Sequence, residues 1–247
     1  MIPWLAPGQP FPPVSAALDT PNGLLAASAE LTADRLLMAY PHGIFPWYAE
    51  DEPVLWWSPD PRMVLFPDEF RISRSFAKTL RRSARDASLE VRVDAAFSSV
   101  IRACAAPRDD DARTWITDSL ADAYCDLHRL GMAHSVETWV DGRLAGGLYG
   151  VALGRMFYGE SMFSRAADAS KIALAALVQL LRIERVPVID CQQNTRHLAS
   201  LGAREIPRTQ FVAQLEGSVP AAPVDWTRYE QRPLNFLLPM LLADAVG

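Results

Sequence analysis

The residues best placed to do chemistry in this chain are Glu160, Asp190 and Gln192, three polar side chains at the ends of two apolar runs. The run 186–192, VPVIDCQ, reads as a short buried strand. Side chains alternate along a strand, so Asp190 and Gln192 are expected on one face and Cys191 on the other, a carboxylate and an amide projecting side by side. An aspartate in such a run needs a partner, because an unpaired buried charge is costly. The alternative to a catalytic role is a structural aspartate bonded to a nearby loop. Glu160, in GES, follows a strand glycine that allows a ligand close to the backbone, and its alternative is an ordinary sheet-end glutamate. Ser161 is not a nucleophile elbow, since G-x-S-x-G requires glycine at 163, where Phe163 stands. Cys191 has no histidine fixed beside it by the sequence, and a buried cysteine is more often inert than nucleophilic.

The elements that must position these residues lie in one stretch, 143–195. Residues 144–153 and 156–163 are apolar or glycine-rich and separated by Gly154-Arg155, which predicts a β-hairpin. A helix follows. Asp168 or Ser170 can cap it, and residues 172–181 carry a single polar side chain, Gln179, so it is buried on nearly all sides. The strand 186–192 then returns, which brings the end of one strand at 159–161 beside the end of another at 190–192. Polar groups at strand ends next to a helix N-terminus are where open α/β sheets hold ligands.

Earlier in the chain, residues 1 to about 20 are proline-rich and expected to lie extended on the surface or to be partly disordered. Thr32 can cap a short helix that Pro41 stops, and prolines 59, 61 and 67 allow only short extended pieces around 54–67. This aromatic, proline-punctuated texture ends near Asp60, which sets the expected boundary between a small unit, 1–60, and a larger one, 61–247. Residues 89–105 read as strand then helix, 119–130 as a helix ended by Gly131, and HSVETWVDGRLAGG as a hairpin turning at Asp141-Gly142. Residues 197–208 give a short helix closed by Gly202 and a last strand, and the apolar tail 236–242 packs on the body. Strands alternating with helices, with hairpins among them, predict a mixed α/β (α+β) sheet of the acyltransferase type.

Residues 71–85 hold six basic side chains and no acidic one. With Ser73 as cap, Arg74, Lys78, Arg81 and Arg85 fall on one helical face, a stripe suited to phosphates or, alternatively, an ordinary solvated face. The net charge of −5 argues against a general polyanion binder, so nucleic-acid contact has to come from such a local patch. Three cysteines without C-x-x-C spacing suggest reduced thiols in a cytosol, and four histidines without ligand spacing make metal chemistry unexpected. No stretch approaches the ~18 apolar residues of a membrane helix, so no membrane role is expected. A coenzyme A acetyltransferase is the rival class. Its pyrophosphate loop reads R/Q-x-x-G-x-G/A, whereas residues 165–170 here contain no glycine and place Asp168 where a phosphate would sit.

The motifs PNGLLA, LLMAYPHGIFPWY, LWWSPDPR, TWIT, HSVE, GGLYGVALG, FYGESMFSR, ASK, IDCQ and ASLGAREIPR, in that order over residues 21–208, resemble the bacterial leucyl/phenylalanyl-tRNA-protein transferases. The resemblance implies a small N-terminal domain before a GNAT-like domain. It implies transfer of leucine, phenylalanine or methionine from aminoacyl-tRNA to proteins beginning with arginine or lysine, a mark for degradation by the N-end rule. It also implies a cytoplasmic enzyme with no cofactor and no metal, because an aminoacyl ester is already activated. Carried over by motif, Asp190 and Gln192 handle the proton and Glu160 orients them and the incoming amine. Trp115 stacks on the terminal adenosine, and Arg74, Lys78 and Arg81 hold the acceptor stem. An aminoacyl pocket lined by Leu148, Phe157, Met162, Leu174, Leu177, Leu181 and Ile189 completes the expected site.

Overall fold

The computed structural model describes residues 2–106, 116–230 and 232–244. Its first part holds β1 (Trp4–Leu5), β2 (Leu24–Ser28), α1 (Ala33–Ala39), β3 (Phe45–Pro46) and β4 (Val54–Trp57). These strands form a four-stranded sheet of order β1-β2-β4-β3. The N-terminal residues are therefore not wholly irregular: Trp4 and Leu5 pair in parallel with Ala27 and Ser28. Thr32 caps α1 by accepting from the Arg35 amide at 3.1 Å, and a 3₁₀ turn, Tyr40–His42, follows at Pro41.

The second part continues with β5 (Arg62–Leu65), α2 (Arg74–Ser83), β6 (Leu89–Val93), α3 (Phe97–Ala105), α4 (Asp118–Arg129), β7 (Ala133–Val140), β8 (Arg143–Leu153) and β9 (Met156–Ser164). It closes with α5 (Ala169–Ile183), β10 (Val188–Gln192), α6 (Arg196–Ser200), β11 (Arg204–Ile206), α7 (Arg208–Ser218), α8 (Thr227–Glu230) and α9 (Leu237–Asp244). Its seven-stranded sheet has the order β11-β5-β10-β9-β8-β7-β6 and is mixed, since β9 and β10 run parallel while their other neighbours are antiparallel. The α/β class read from the sequence is the class observed. The hairpins turn where glycine permits positive φ, at Asp141-Gly142 (φ 50° and 70°) and at Gly154 (φ 58°).

Apolar side chains fill both faces of the large sheet. One core lies under α3 and α4 and is shared with the first part of the chain through Leu25, Tyr40, Phe45 and Trp56. The other lies under α2, α5 and α9. Nearly every side chain from Ala169 to Leu181 of α5 is buried, as the run of apolar residues requires. Asp168 occupies the N-cap position of α5 but does not cap it: its backbone is left-handed (φ 61°), and its carboxylate takes Lys171 at 2.9 Å and Thr79 of α2 at 3.3 Å. The apolar tail packs on the body as α9, with Leu237, Leu238 and Leu241 fully buried.

Candidate functional site

The site begins with two faults in the sheet. Between β8 and β9, Gly150 pairs Gly159 and Tyr149 pairs Ser161, so Glu160 is an extra, unmatched residue. Between β10 and β5, Asp190 pairs Val64 and Gln192 pairs Met63, so Cys191 is extra in the same way. Each is a β-bulge, which bends its strand and re-aims the side chains beyond it. Both fall just past Asp190↔Tyr158, the last pair joining the parallel strands β9 and β10. A cavity of about 550 Å³ opens at this point, within the range usual for small-molecule sites.

The bulge at Cys191 overturns simple alternation. Gln192 takes φ 54°, and its side chain reaches Glu160, Nε2 to Oε1 at 3.3 Å. Asp190 turns away: it is fully buried, it does not line the cavity, and both its oxygens accept from Arg62, Nε at 2.7 Å and Nη2 at 2.6 Å. The expected side-by-side carboxylate and amide are therefore not formed, although Asp190 Oδ1 does accept the Gln192 main-chain N–H at 3.0 Å. Arg62 is equally buried, between the rings of Phe45 and Phe211, and donates its remaining nitrogen to the Gly43 carbonyl at 3.1 Å. Both Asp190 oxygens are thus engaged with Arg62, away from the cavity.

Glu160 does face the cavity. The Tyr40 hydroxyl, at the end of α1, lies 2.7 Å from Oε1, and the Tyr124 hydroxyl of α4 lies 2.7 Å from Oε2. The two phenol oxygens are 2.5 Å apart. Burial pushes the Glu160 carboxyl up to about 7, while hydrogen bonds from the two phenols pull the other way. Burial and the Glu160 charge hold both phenols well above their usual range.

Six of the seven expected pocket residues line the cavity: Leu148, Phe157, Met162, Leu174, Leu177 and Ile189. Leu181 does not. One turn farther along α5, it is fully buried in the core. Trp115 lies outside the described residues. Arg74, Lys78 and Arg81 are exposed on α2, which Ser73 caps as expected (3.2 Å to the Phe76 amide). Lys78, Arg81, Arg82, Arg85 and Asp86 surround one shallow depression there.

Several lining residues escape the sequence reading. Phe45 and Pro46 of β3 with Trp47 just after it form one wall, and Gln193, Thr195, His197 and Leu198 of the β10–α6 segment form another. His197 is held below its usual range by partial burial and the nearby Lys171 charge. The exposed indole of Trp47 (41%) in a run of aromatic residues is a usable signal. Arg62 leaves one too, a lone cation at the start of an apolar strand. Nothing local distinguishes Tyr40 or Tyr124 from core tyrosines.

Comparison with known proteins adds identity to this geometry. The sequence profile described as Leucyl/phenylalanyl-tRNA protein transferase matches residues 64–216, and that of the corresponding N-terminal domain matches residues 29–60. A leucyl/phenylalanyl-tRNA–protein transferase of Burkholderia pseudomallei is 60% identical over 96% of this chain and 94% of its own. That of Paraburkholderia phymatum is 58% identical over 96% of this chain and 98% of its own. Among solved structures, a GCN5-related N-acetyltransferase-like protein from Streptococcus suis aligns over 73% of this chain and 67% of its own, at 13% identity and TM-score 0.32. L-PGS from Bacillus licheniformis aligns over 90% and 73%, at 11% and 0.38. Identity near 60% along nearly the whole length, with both profiles matched in order, makes this chain a member of the leucyl/phenylalanyl-tRNA protein transferase family.

Proposed function

We propose that this transferase moves leucine, phenylalanine or methionine from aminoacyl-tRNA to the α-amino group of proteins that begin with arginine or lysine, marking them for N-end rule degradation in the cytoplasm. The observation that carries the reading is the Glu160 carboxyl, held by two phenols and the Gln192 amide, in the lining of a cavity whose other walls include Leu148, Phe157, Leu174 and Leu177. The apolar floor suits an aliphatic, thioether or aromatic side chain that is unbranched at Cβ, though such selection is worth only about 1–3 kcal/mol per methylene. The carboxyl suits proton traffic at neutral pH.

In this reading the aminoacyl group enters between Leu148, Phe157, Leu174 and Leu177. The ester stands beside Glu160 and Gln192, and the acceptor stem lies along Arg74, Lys78 and Arg81. Trp115 stacks on the terminal adenosine. The ester is already activated, so positioning is the main task. The neutral amine attacks the ester carbon, the C–N bond forms and the bond to the ribose oxygen breaks. Glu160 accepts the amine proton and returns it to the departing ribose oxygen, Gln192 orients the carboxylate, and Asp190 with Arg62 fixes the strand end that carries Gln192. Residues 1–60 supply one cavity wall and residues 61–247 the rest. A coenzyme A reading is disfavoured by the Asp168 carboxylate held at the start of α5.

The test mixes the protein with leucyl-tRNA carrying labelled leucine and a peptide beginning with arginine. Label is expected in the peptide, and Glu160→Gln is expected to lower transfer by about 100-fold or more. Label that stays on tRNA with the wild-type protein overturns the reading.

A further inference from the structure

Three short contacts join the four oxygens of Glu160, Tyr40 and Tyr124. Tyr40 lies 2.7 Å from Oε1, Tyr124 lies 2.7 Å from Oε2, and the two phenols lie 2.5 Å from each other. Each contact is of hydrogen-bond length and needs one hydrogen. Each phenol has one hydrogen to give. An ionised carboxylate has none, so with both phenols donating to it nothing is left to lie between them, and two facing oxygens at 2.5 Å repel. A third hydrogen completes the set when the carboxyl is protonated: Glu160 donates to one phenol, that phenol to the other, and the other back to the free carboxyl oxygen.

We infer that Glu160, Tyr40 and Tyr124 form a ring holding three hydrogens when the carboxyl is protonated and two when it is ionised, and that the ring takes up the amine proton during transfer. This rests on the acyl-transfer reading above. The ionised ring starts the cycle. As the C–N bond forms, the amine N–H passes to Glu160, whose hydrogen-bond set has room for it: two phenols and the Gln192 amide occupy three of the roughly four acceptor positions of a carboxylate. The ring closes around the proton and gives it back to the ribose oxygen as the ester bond breaks. Atoms and charge balance with no other acid or base. Tyr40 and Tyr124 are positioning residues that act through Glu160.

Two charged groups and a third phenol also act on or near Glu160 from the neighbouring strands. From β10 and β5 come Asp190, which raises its proton affinity, and Arg62, which lowers it. From β8 comes Tyr149, a phenol kept neutral by burial and by the Glu160 charge. None of these supplies a hydrogen bond to the ring, so the two phenols are the groups to vary.

The experiment reads the resting protein first. Infrared titration of the full chain is expected to show one buried carboxyl with a midpoint near 7, lost in Glu160→Gln. Tyr40→Phe and Tyr124→Phe each remove a donor to the ionised form, and each is expected to raise that midpoint by about one unit. The pH profile of kcat/KM for labelled transfer should move with it, with rate returning at higher pH, whereas a merely structural loss lowers the rate at every pH and leaves the midpoint in place. Crystals at about pH 9 should show the phenol oxygens parted beyond hydrogen-bond length, about 3.2 Å. A midpoint unchanged in both variants, or phenols still in contact at high pH, overturns the ring. If one variant fails to fold, the other carries the test. Failure of the wild-type protein to label the peptide overturns the acyl-transfer reading instead and leaves the infrared titration to judge the ring alone.

Discussion

Glu160 and Asp190 are both carboxylates at strand ends, yet their surroundings give them opposite work. Asp190 is neutralised by a forked guanidinium and sealed from the cavity. Removing it by Asp190→Ala strands the Arg62 charge in the core, which costs about 3–5 kcal/mol, so loss of activity in that variant reports on folding as much as chemistry. The double variant Arg62→Met/Asp190→Leu removes both charges and is expected to recover most of that stability; urea unfolding of the single and double variants measures the difference. Glu160 carries a pH signature. Its carboxyl is raised from 4.5 in the unfolded chain to about 7 in the fold. Between these values the folded protein binds the extra proton, so stability falls as pH rises. The contribution is complete below about 4.5 and lost as pH passes 7, a change on the order of 3 kcal/mol. Unfolding at pH 5 and pH 8 is expected to show this difference shrinking in Glu160→Gln; an equal pH dependence in wild type and variant defeats the assignment.

At the scale of elements, the cavity exists because two adjacent strands bulge at one level, and Gly150 permits the bulge on β9. A Cβ there would stand 2.2 Å from the Tyr158 carbonyl oxygen and 2.6 Å from the Phe157 ring, neither of which can yield without disturbing the sheet. Gly150→Ala is therefore expected to destabilise the protein and to abolish transfer. Gly217→Ala in α7, with open space around the new methyl, is expected to be neutral or to stabilise by up to about 1 kcal/mol. Thermal unfolding of the two variants, with transfer assays beside it, checks the contrast. The same bulges mark where the sequence stops being legible. Helices declared themselves through caps such as Thr32 and Ser73, hairpins through Asp141-Gly142 and Gly154, and the pocket floor through the apolar runs that carry Leu148, Phe157 and Leu174. A bulge depends on the register of a neighbouring strand, which no local pattern carries, so alternation misplaced Asp190 relative to Gln192. Tyr40, Tyr124 and Arg62 reach the site through long-range packing, and Leu181 misses it by one helical turn.

Across the whole molecule, an acidic protein presents one basic helix next to its cavity helix. Asp168 ties the two, accepting from Thr79 of α2 at the first turn of α5, and α9 packs against both. A tRNA held along Arg74, Lys78 and Arg81 would thus be registered against a cavity walled by Leu174 and Leu177 of α5. Phosphate contacts release counterions, so log affinity for aminoacyl-tRNA should fall linearly with log salt, by about 0.7–0.9 per phosphate neutralised. The triple variant Arg74→Ala/Lys78→Ala/Arg81→Ala is expected to flatten that slope by up to about 2–3 and to raise KM for leucyl-tRNA accordingly. A leucyl-adenosine ester lacks the acceptor stem and occupies only the cavity, so its turnover should be nearly independent of salt and unchanged in the triple variant. Matched salt series with the two donors, on wild type and variant, separate the helix from the cavity. A salt slope that persists in the triple variant places the phosphates elsewhere on the surface, and a comparable loss with leucyl-adenosine places these three cations in the cavity's own chemistry.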